Sequence, residues 1–378
     1  MTSKMNKPTI ALAAGGTGGH MFPASSLAHE LIARGFDILL LTDKRGMAYS
    51  HIFKGMNVKC IESKSPMQGG IGKRISAIWD FFKGAYQTAM VMRKHNVKAV
   101  VGFGGYASLS TLLGARAMRL PYGLHEQNAV LGRVNKLMLS GCVFLATSFE
   151  VTKSIKDSAL EKLTLTGNPT RASISKIGET KYKLPKKADM FHVLAVGGSL
   201  GSRIFADIIP AALTFLDSGF KARLMVTQQC RSEDISRVEK AYKRSNINCK
   251  ITPFIDDMAY ELEKAHLVIS RAGAGSVTEV ALASRPAIFV PLAIAADNHQ
   301  TFNAQALSLN KAGWMLTENE FSPSRLAALI KNLVTNSAQL VEAARNAKAL
   351  AKSNATLDLA NLVEEKLLNL TLENKGVA

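Results

Sequence analysis

The stretch that decides the fold is Thr9-Ile-Ala-Leu-Ala-Ala14, a short apolar run that enters Gly15-Gly-Thr-Gly-Gly19 and His20. Such a run without alternation reads as a strand buried on both faces of a parallel sheet. A helical pattern over Pro23–Arg34 follows, Gly35 ends it, and Asp37-Ile-Leu-Leu-Leu-Thr42 is the next strand, so the chain opens with a βαβ unit. The pattern starts again 182 residues later, where Phe191-His-Val-Leu-Ala-Val196 feeds Gly197-Gly-Ser-Leu-Gly201. Two β-Gly-α openings predict two doubly wound α/β domains of similar size.

Further strands are expected at 58–61, 98–103, 121–125 and 142–147 in the first half, and at 222–227, 250–253, 267–270 and 287–291 in the second. From Ser322 to Leu370 only helical periodicity remains. The expected boundaries are a first domain over 1–166, a linker over 167–188, rich in Lys, Pro and Gly in its second half, a second domain over 189–355, and a terminal helix over 356–378.

The length of 378 residues suits two or three domains, and 47% hydrophobic with 20% charged residues is a folded rather than a disordered composition. No apolar run reaches the roughly 18 residues of a membrane span, and the polar start lacks the core of a secretory signal, so a cytoplasmic protein is expected. Four scattered cysteines form no CxxC pair and suggest neither a disulfide framework nor a zinc site. The formal charge is +18, and residues 1–170 hold 21 Lys and Arg against 9 Asp and Glu, two thirds of the excess. That field favours an anionic partner: nucleic acid, acidic lipid or a phosphorylated substrate.

A glycine turn between strand and helix brings backbone N–H groups close to a phosphate, because no Cβ intervenes and the helix mouth is partially positive. A nicotinamide enzyme is one owner of such a turn, with Asp43 placed to bind ribose, but the third glycine would fall at Met21. Tight strand-on-helix packing is the structural alternative. His20, at the helix mouth, is a candidate general base, or else a hydrogen-bonded structural residue. His125-Glu-Gln-Asn128 gathers polar groups at one strand end, which suits ligand contact or a helix cap before Gly132.

In the second half, Ser270-Arg-Ala-Gly-Ala-Gly-Ser276-Val-Thr-Glu279 runs from strand through glycine turn into helix. Ser276 and Glu279 fit a capping box; the same geometry would aim amides at a diphosphate and Glu279 at ribose hydroxyls. Asp256-Asp257 reads as a helix cap rather than a metal pair. Ile75, Ile78, Trp79 and Phe82 share one helical face flanked by Lys73, Arg74 and Lys83, which suits a core or a membrane interface.

Seven motifs then occur in order: Gly15-Gly-Thr-Gly-Gly-His20, Gly104-Gly-Tyr-Ala-Ser108, His125-Glu-Gln-Asn128, Thr166-Gly-Asn-Pro-Thr-Arg171, Gly197-Gly-Ser199, Phe254-Ile-Asp-Asp-Met258 and Ser270-Arg-x-Gly-Ala…Glu279. With these, the chain from about 8 to 355 resembles the MurG family of bacterial N-acetylglucosaminyltransferases. The resemblance implies a GT-B fold of two Rossmann-like domains facing a cleft, the last helix returning to the first domain. It implies no metal or cofactor, and as partners UDP-N-acetylglucosamine, lipid I and the cytoplasmic face of the inner membrane, with no nucleic acid.

By motif match, the resemblance gives the Ile255 backbone to uracil and Glu279 to ribose. Ser199 and the helix start Ala274, Gly275, Ser276, Val277 and Thr278 would hold the diphosphate, and Gln300 the sugar. Arg171 and Asn128 would close on the donor, and Thr17, Gly18 and Gly19 would face the diphosphates. His20 is the expected base, Glu126 the second choice, Tyr106 a positioning group, and Ile75, Ile78, Trp79 and Phe82 the membrane contact. The chain departs from the family pattern at Asp297-Asn-His-Gln300 and at Gly275-Ser276. A UDP-N-acetylglucosamine epimerase of the same fold is the competing reading.

Overall fold

The computed structural model describes residues 8–61, 71–198 and 201–369, the side chains of 71–81 excepted. The chain forms two compact units: the first runs to Thr170 and takes the chain back from Asn354, and the second is Arg171–Ser353.

In the first unit the strands are β1 Thr9–Ala13, β2 Asp37–Thr42, β3 Asn57–Cys60, β4 Val97–Gly102, β5 Tyr122–Glu126, β6 Leu145–Thr147 and β7 Leu163–Leu165. They form one parallel sheet in the order β3-β2-β1-β4-β5-β6-β7. The second unit holds β8 Phe191–Val196, β9 Leu224–Gln229, β10 Asn248–Thr252, β11 Leu267–Ser270, β12 Ala287–Phe289 and β13 Trp314–Met315. Its parallel order, β10-β9-β8-β11-β12-β13, repeats the first. Each sheet reverses direction once, between β1 and β4 and between β8 and β11, and there the loops beyond the strand ends diverge.

The central strands are buried throughout, as their unbroken apolar runs require: Ile10 to Ala13 and Leu39 to Leu41 have no exposed surface. Helices cover both faces. The helix over Ala355–Val363, with the turn Glu364–Leu368, buries Leu359, Val363 and Leu367 beside Ile10, Leu12 and Leu31 of the first unit. Arg34 fastens it, with Nη1 2.6 Å from Glu364 Oε1 and 2.7 Å from Asn361 Oδ1.

Several expectations are corrected. The first helix is Gly18–Ala33 rather than 23–34. Thr17 is extended, and the two glycines after it already belong to the helix, so Pro23 lies inside the helix and costs one hydrogen bond near its mouth. The 167–188 stretch is not one linker. Gly167–Thr170 stays with the first unit, while the helix Ala172–Ile177 buries Ile174 and Ile177 within the second. Gly178 lies so close to the Leu282 carbonyl that a Cβ there would fall 2.0 Å from the oxygen. The strands β7 and β13, of three and two residues, are too short for periodicity to reveal.

Candidate functional site

In the first unit the turn after β1 is shaped by Asp43 at the end of β2. Its Oδ1 accepts the N–H groups of Gly16 (3.0 Å) and Gly46 (2.8 Å), and its Oδ2 faces Arg45 Nη2 at 3.2 Å. Asp43 is therefore buried as a brace for the glycine turn, not presented to a ribose. The helix that follows has no side-chain cap and no acid in its first turn, so Thr17, Gly18 and Gly19 stand at an electropositive mouth.

His20 lies inside that first turn, with Nδ1 2.9 Å from the Gly15 carbonyl. A carbonyl only accepts, so Nδ1 carries the proton and Nε2 holds the lone pair of the neutral ring. The ring rests on the turn after β4. Gly104 and Gly105 both have positive φ (83° and 77°), and a Cβ on Gly105 would lie 3.4 Å from His20 Nδ1 and 3.2 Å from the Gly15 carbonyl. Both the backbone conformation and the close approach favour glycine here. Ser108 Oγ, 2.7 Å from the Ala13 carbonyl and 2.6 Å from that of Gly104, joins the two strand ends. Tyr106 opens the Tyr106–Ala117 helix directly after this turn.

At the end of β5 the polar cluster turns three of its four members inward and leaves Asn128 half-buried. His125, Glu126 and Gln127 are all buried. Glu126 Oε1 accepts from Asn128 N (3.1 Å) and Nδ2 (3.2 Å), and Oε2 accepts from Gly132 N (2.8 Å) and Asn135 Nδ2 (2.9 Å). Four N–H donors occupy both oxygens, so Glu126 organises the loop, orients Asn128 and leaves no seat for a substrate hydroxyl. His125 Nε2 is 3.0 Å from the Gly167 carbonyl, and Gln127 Nε2 is 2.9 Å from its Nδ1. Burial pushes His125 down to about 4, and repulsion from His20 whenever that ring is protonated acts in the same direction, so His125 stays neutral.

In the second unit β8 ends at Gly197–Gly198; Ser199 lies outside the described residues. From β11 the chain passes through Arg271 and Ala272 to Gly273, the N-cap of the Ala274–Leu282 helix. Ser276 sits three residues inside that helix, so the capping box is corrected: Gly273 takes the cap position, with no capping side chain and no acid in the first turn. A Cβ on Gly273 or Gly275 would meet nothing within 4 Å, and the amides of Ala274, Gly275 and Ser276 precede the first intrahelical bond, Val277 N–H to the Gly273 carbonyl. Val277 is buried and Thr278 half-buried one turn further on.

Glu279 follows on the same helix, paired with Arg171 Nη2 at 3.1 Å. Burial raises its pKa above the ordinary glutamate value, and Arg171 opposes that rise. The side chain of Ile255 is buried, so what that residue offers is its backbone. Asp257 caps the Met258–Lys264 helix through Tyr260 N (3.0 Å). Gln300 Oε1 accepts from Leu292 N (2.9 Å), which turns its NH2 end the other way.

No group of His, Cys, Asp or Glu among the described residues is arranged to hold a metal ion. The face proposed for the membrane is only partly visible. Ile75, Ile78 and Trp79 lie on the Ile71–Lys94 helix, but their side chains are outside the described residues. Phe82 faces outward at 66% exposure, with Tyr86 and Met90 following it at i+4 and i+8. Gly84, Thr88 and Met92 are the buried side of the same helix. Sequence reasoning gave no role to Arg271 or Glu318, and Asp43 entered it only as a ribose-binding acid. Asp43 and Arg271 both adjoin glycine turns, which was the available signal; Glu318 had none.

Two doubly wound units, each with a glycine turn at its reversal point, are the Rossmann-like pair of the GT-B class. Residues 10–142 match the N-terminal domain of glycosyltransferase family 28, and residues 192–362 match its C-terminal domain. The chain belongs to that family. It is 42% identical over 95% of its length to the UDP-N-acetylglucosamine--N-acetylmuramyl-(pentapeptide) pyrophosphoryl-undecaprenol N-acetylglucosamine transferase of Granulibacter bethesdensis, covering 94% of that protein. A protein of the same name from Rhodospirillum rubrum is 40% identical over 94% of this chain and 91% of its own. Among solved structures, Acinetobacter baumannii MurG is similar with a TM-score of 0.77 and 30% identity, over 95% of this chain and 99% of that one.

Glu126→Gln would turn an NH2 group toward N–H donors that now meet an oxygen. A loss of about 2–4 kcal/mol is expected in the denaturant unfolding of the first unit. Wild-type stability in this variant would reopen a chemical role for Glu126.

Proposed function

We propose that the chain is an inverting N-acetylglucosaminyltransferase. It moves N-acetylglucosamine from UDP-N-acetylglucosamine to the C4 hydroxyl of the muramoyl sugar of lipid I, giving lipid II for peptidoglycan synthesis. The observation that carries this reading is the 42% identity to a transferase of that name across both units.

In this mechanism the acceptor hydroxyl attacks the anomeric carbon from the face opposite UDP. The bond from that carbon to the β-phosphate oxygen breaks, UDP leaves as the anion, and the sugar inverts from α to β through an oxocarbenium-like transition state. The amides at the start of the Ala274–Leu282 helix stabilise the leaving charge, fixed in place beforehand by the fold. Glu279 accepts from the ribose hydroxyls, the Ile255 backbone reads uracil, Gln300 the sugar, and Ser199 joins the diphosphate seat. Arg171 exchanges part of its pairing with Glu279 for the donor, and Asn128 contacts the donor from its place beside Glu126.

His20 Nε2 takes the hydroxyl proton, the Gly15 carbonyl having set the tautomer. Tyr106 positions the acceptor, whose pyrophosphate lies at Thr17, Gly18 and Gly19. The lipid tail places the first unit at the cytoplasmic face of the inner membrane, through the outward stripe of the Ile71–Lys94 helix and the positive charge of residues 1–170. Peptidoglycan supply then ties the enzyme to cell shape, growth and division.

Four measurements test this reading. Transfer from UDP-N-acetylglucosamine to a short-chain lipid I analogue is expected, with the donor sugar unchanged when acceptor is omitted; conversion of the donor alone would mean an epimerase. His20→Ala should lower kcat by about 10²- to 10⁴-fold with donor affinity kept, and normal turnover would remove His20 as the base.

With Glu279 ionised, UDP affinity should be full. It should fall as pH drops through a value above the ordinary carboxylate range, the carboxylate becoming a neutral acid that accepts less well. Calorimetry on the wild type and Glu279→Gln checks this: an equal pH slope in both excludes Glu279 as the titrating acceptor. Phe82→Ser with Tyr86→Ser should weaken cosedimentation with anionic phospholipid vesicles about tenfold while transfer to a soluble acceptor persists. Unchanged partitioning would rule out this face.

A further inference from the structure

The loop over 291–298 is tied at two consecutive amides by side chains from different elements. Leu292 N–H donates to Gln300 Oε1 (2.9 Å), and Ala293 N–H donates to Glu318 Oε2 (3.3 Å). The other Glu318 oxygen, Oε1, lies 2.6 Å from Nη2 of Arg271, a residue only 9% exposed. That guanidinium also donates to the carbonyls of Val290 (3.2 Å) and Pro291 (3.4 Å), where the loop leaves its strand, and to Ser202 Oγ (3.2 Å), beside the second glycine turn. One planar cation thus joins the diphosphate turn to the root of the loop, and Glu318 extends the connection to the loop backbone.

The loop needs such ties. Ile294 at its tip is 88% exposed, so apolar packing of that side chain adds little, and Asp297 and Asn298 both adopt left-handed backbone (φ 52° and 55°).

We propose that Glu318, bridging Arg271 and the Ala293 amide, is a positioning residue that sets the shape of the 291–298 loop for recognition of the transferred sugar. This rests on the reading of Gln300 as the sugar contact. Glu318 touches no reacting atom; it acts by holding the strand-end backbone that presents Gln300.

Glu318→Gln removes the carboxylate charge while keeping the side-chain volume. Calorimetry should show UDP bound within about threefold of wild type and UDP-N-acetylglucosamine weakened about tenfold, the loss of one charge-assisted bond. Amide exchange at 292 and 293 should quicken while the Ala274–Leu282 helix stays protected. Arg271→Lys, which keeps the charge but not the fork, should reproduce the split. Equal weakening of UDP and UDP-N-acetylglucosamine, or unchanged exchange at 292 and 293, would overturn the proposal. If the wild type bound no UDP, the donor reading itself would fall, and the ligand-free exchange result would still judge the tie.

Discussion

The structure depends on the point in each parallel sheet where the strand order reverses. At β1 and β4, and again at β8 and β11, neighbouring strands send their chains to opposite faces. That divergence leaves a crevice outside the strand ends. What fills that opening is decided by the turns, and glycine lets those turns bring backbone amides rather than side chains to the surface. A helix mouth without a cap or an acid then gives the opening a positive edge in both units. Diphosphate chemistry suits such an edge because the helix supplies its charge with no rearrangement as the leaving group forms.

The acids near these openings support the backbone. Asp43 holds Gly16 and Gly46, Glu126 holds Asn128, Gly132 and Asn135, and Glu318 holds Ala293 and Arg271. Each carboxylate collects N–H groups that a loop leaves without secondary-structure partners, which is how irregular backbone next to a sheet keeps one shape. His20 is treated alike: Gly15 fixes its tautomer and Gly105 gives it room. Glu279 differs, because burial raises its pKa and its partner is an arginine side chain at the chain's passage between units. A carboxylate held by one exchangeable partner is better suited to meet a ligand than one enclosed by four amides.

Much of this was legible in the residues. Apolar runs without alternation announced buried parallel strands, and their entry into glycine clusters placed the turns, so both units could be read from local pattern. Asp257 was readable as a cap because a cap is a contact over three residues. The failures have one cause. The short strands β7 and β13, the membership of Ala172–Ile177 in the second unit, and the burial of the His125–Gln127 cluster each depend on what lies opposite, and no nearby residue encodes that.

The sequence by itself therefore determined the doubly wound class, its repetition, the glycine turns and the residue types gathered there, because strands, helices and turns answer to neighbours a few positions away. Long-range packing decided that Glu126 is enclosed by four N–H groups, that His20 turns Nδ1 to the Gly15 carbonyl, that Phe82 faces outward and that Glu318 reaches Arg271. These are facts about groups distant in the chain, and side-chain chemistry depends on which partner fills each lone pair and how much water remains.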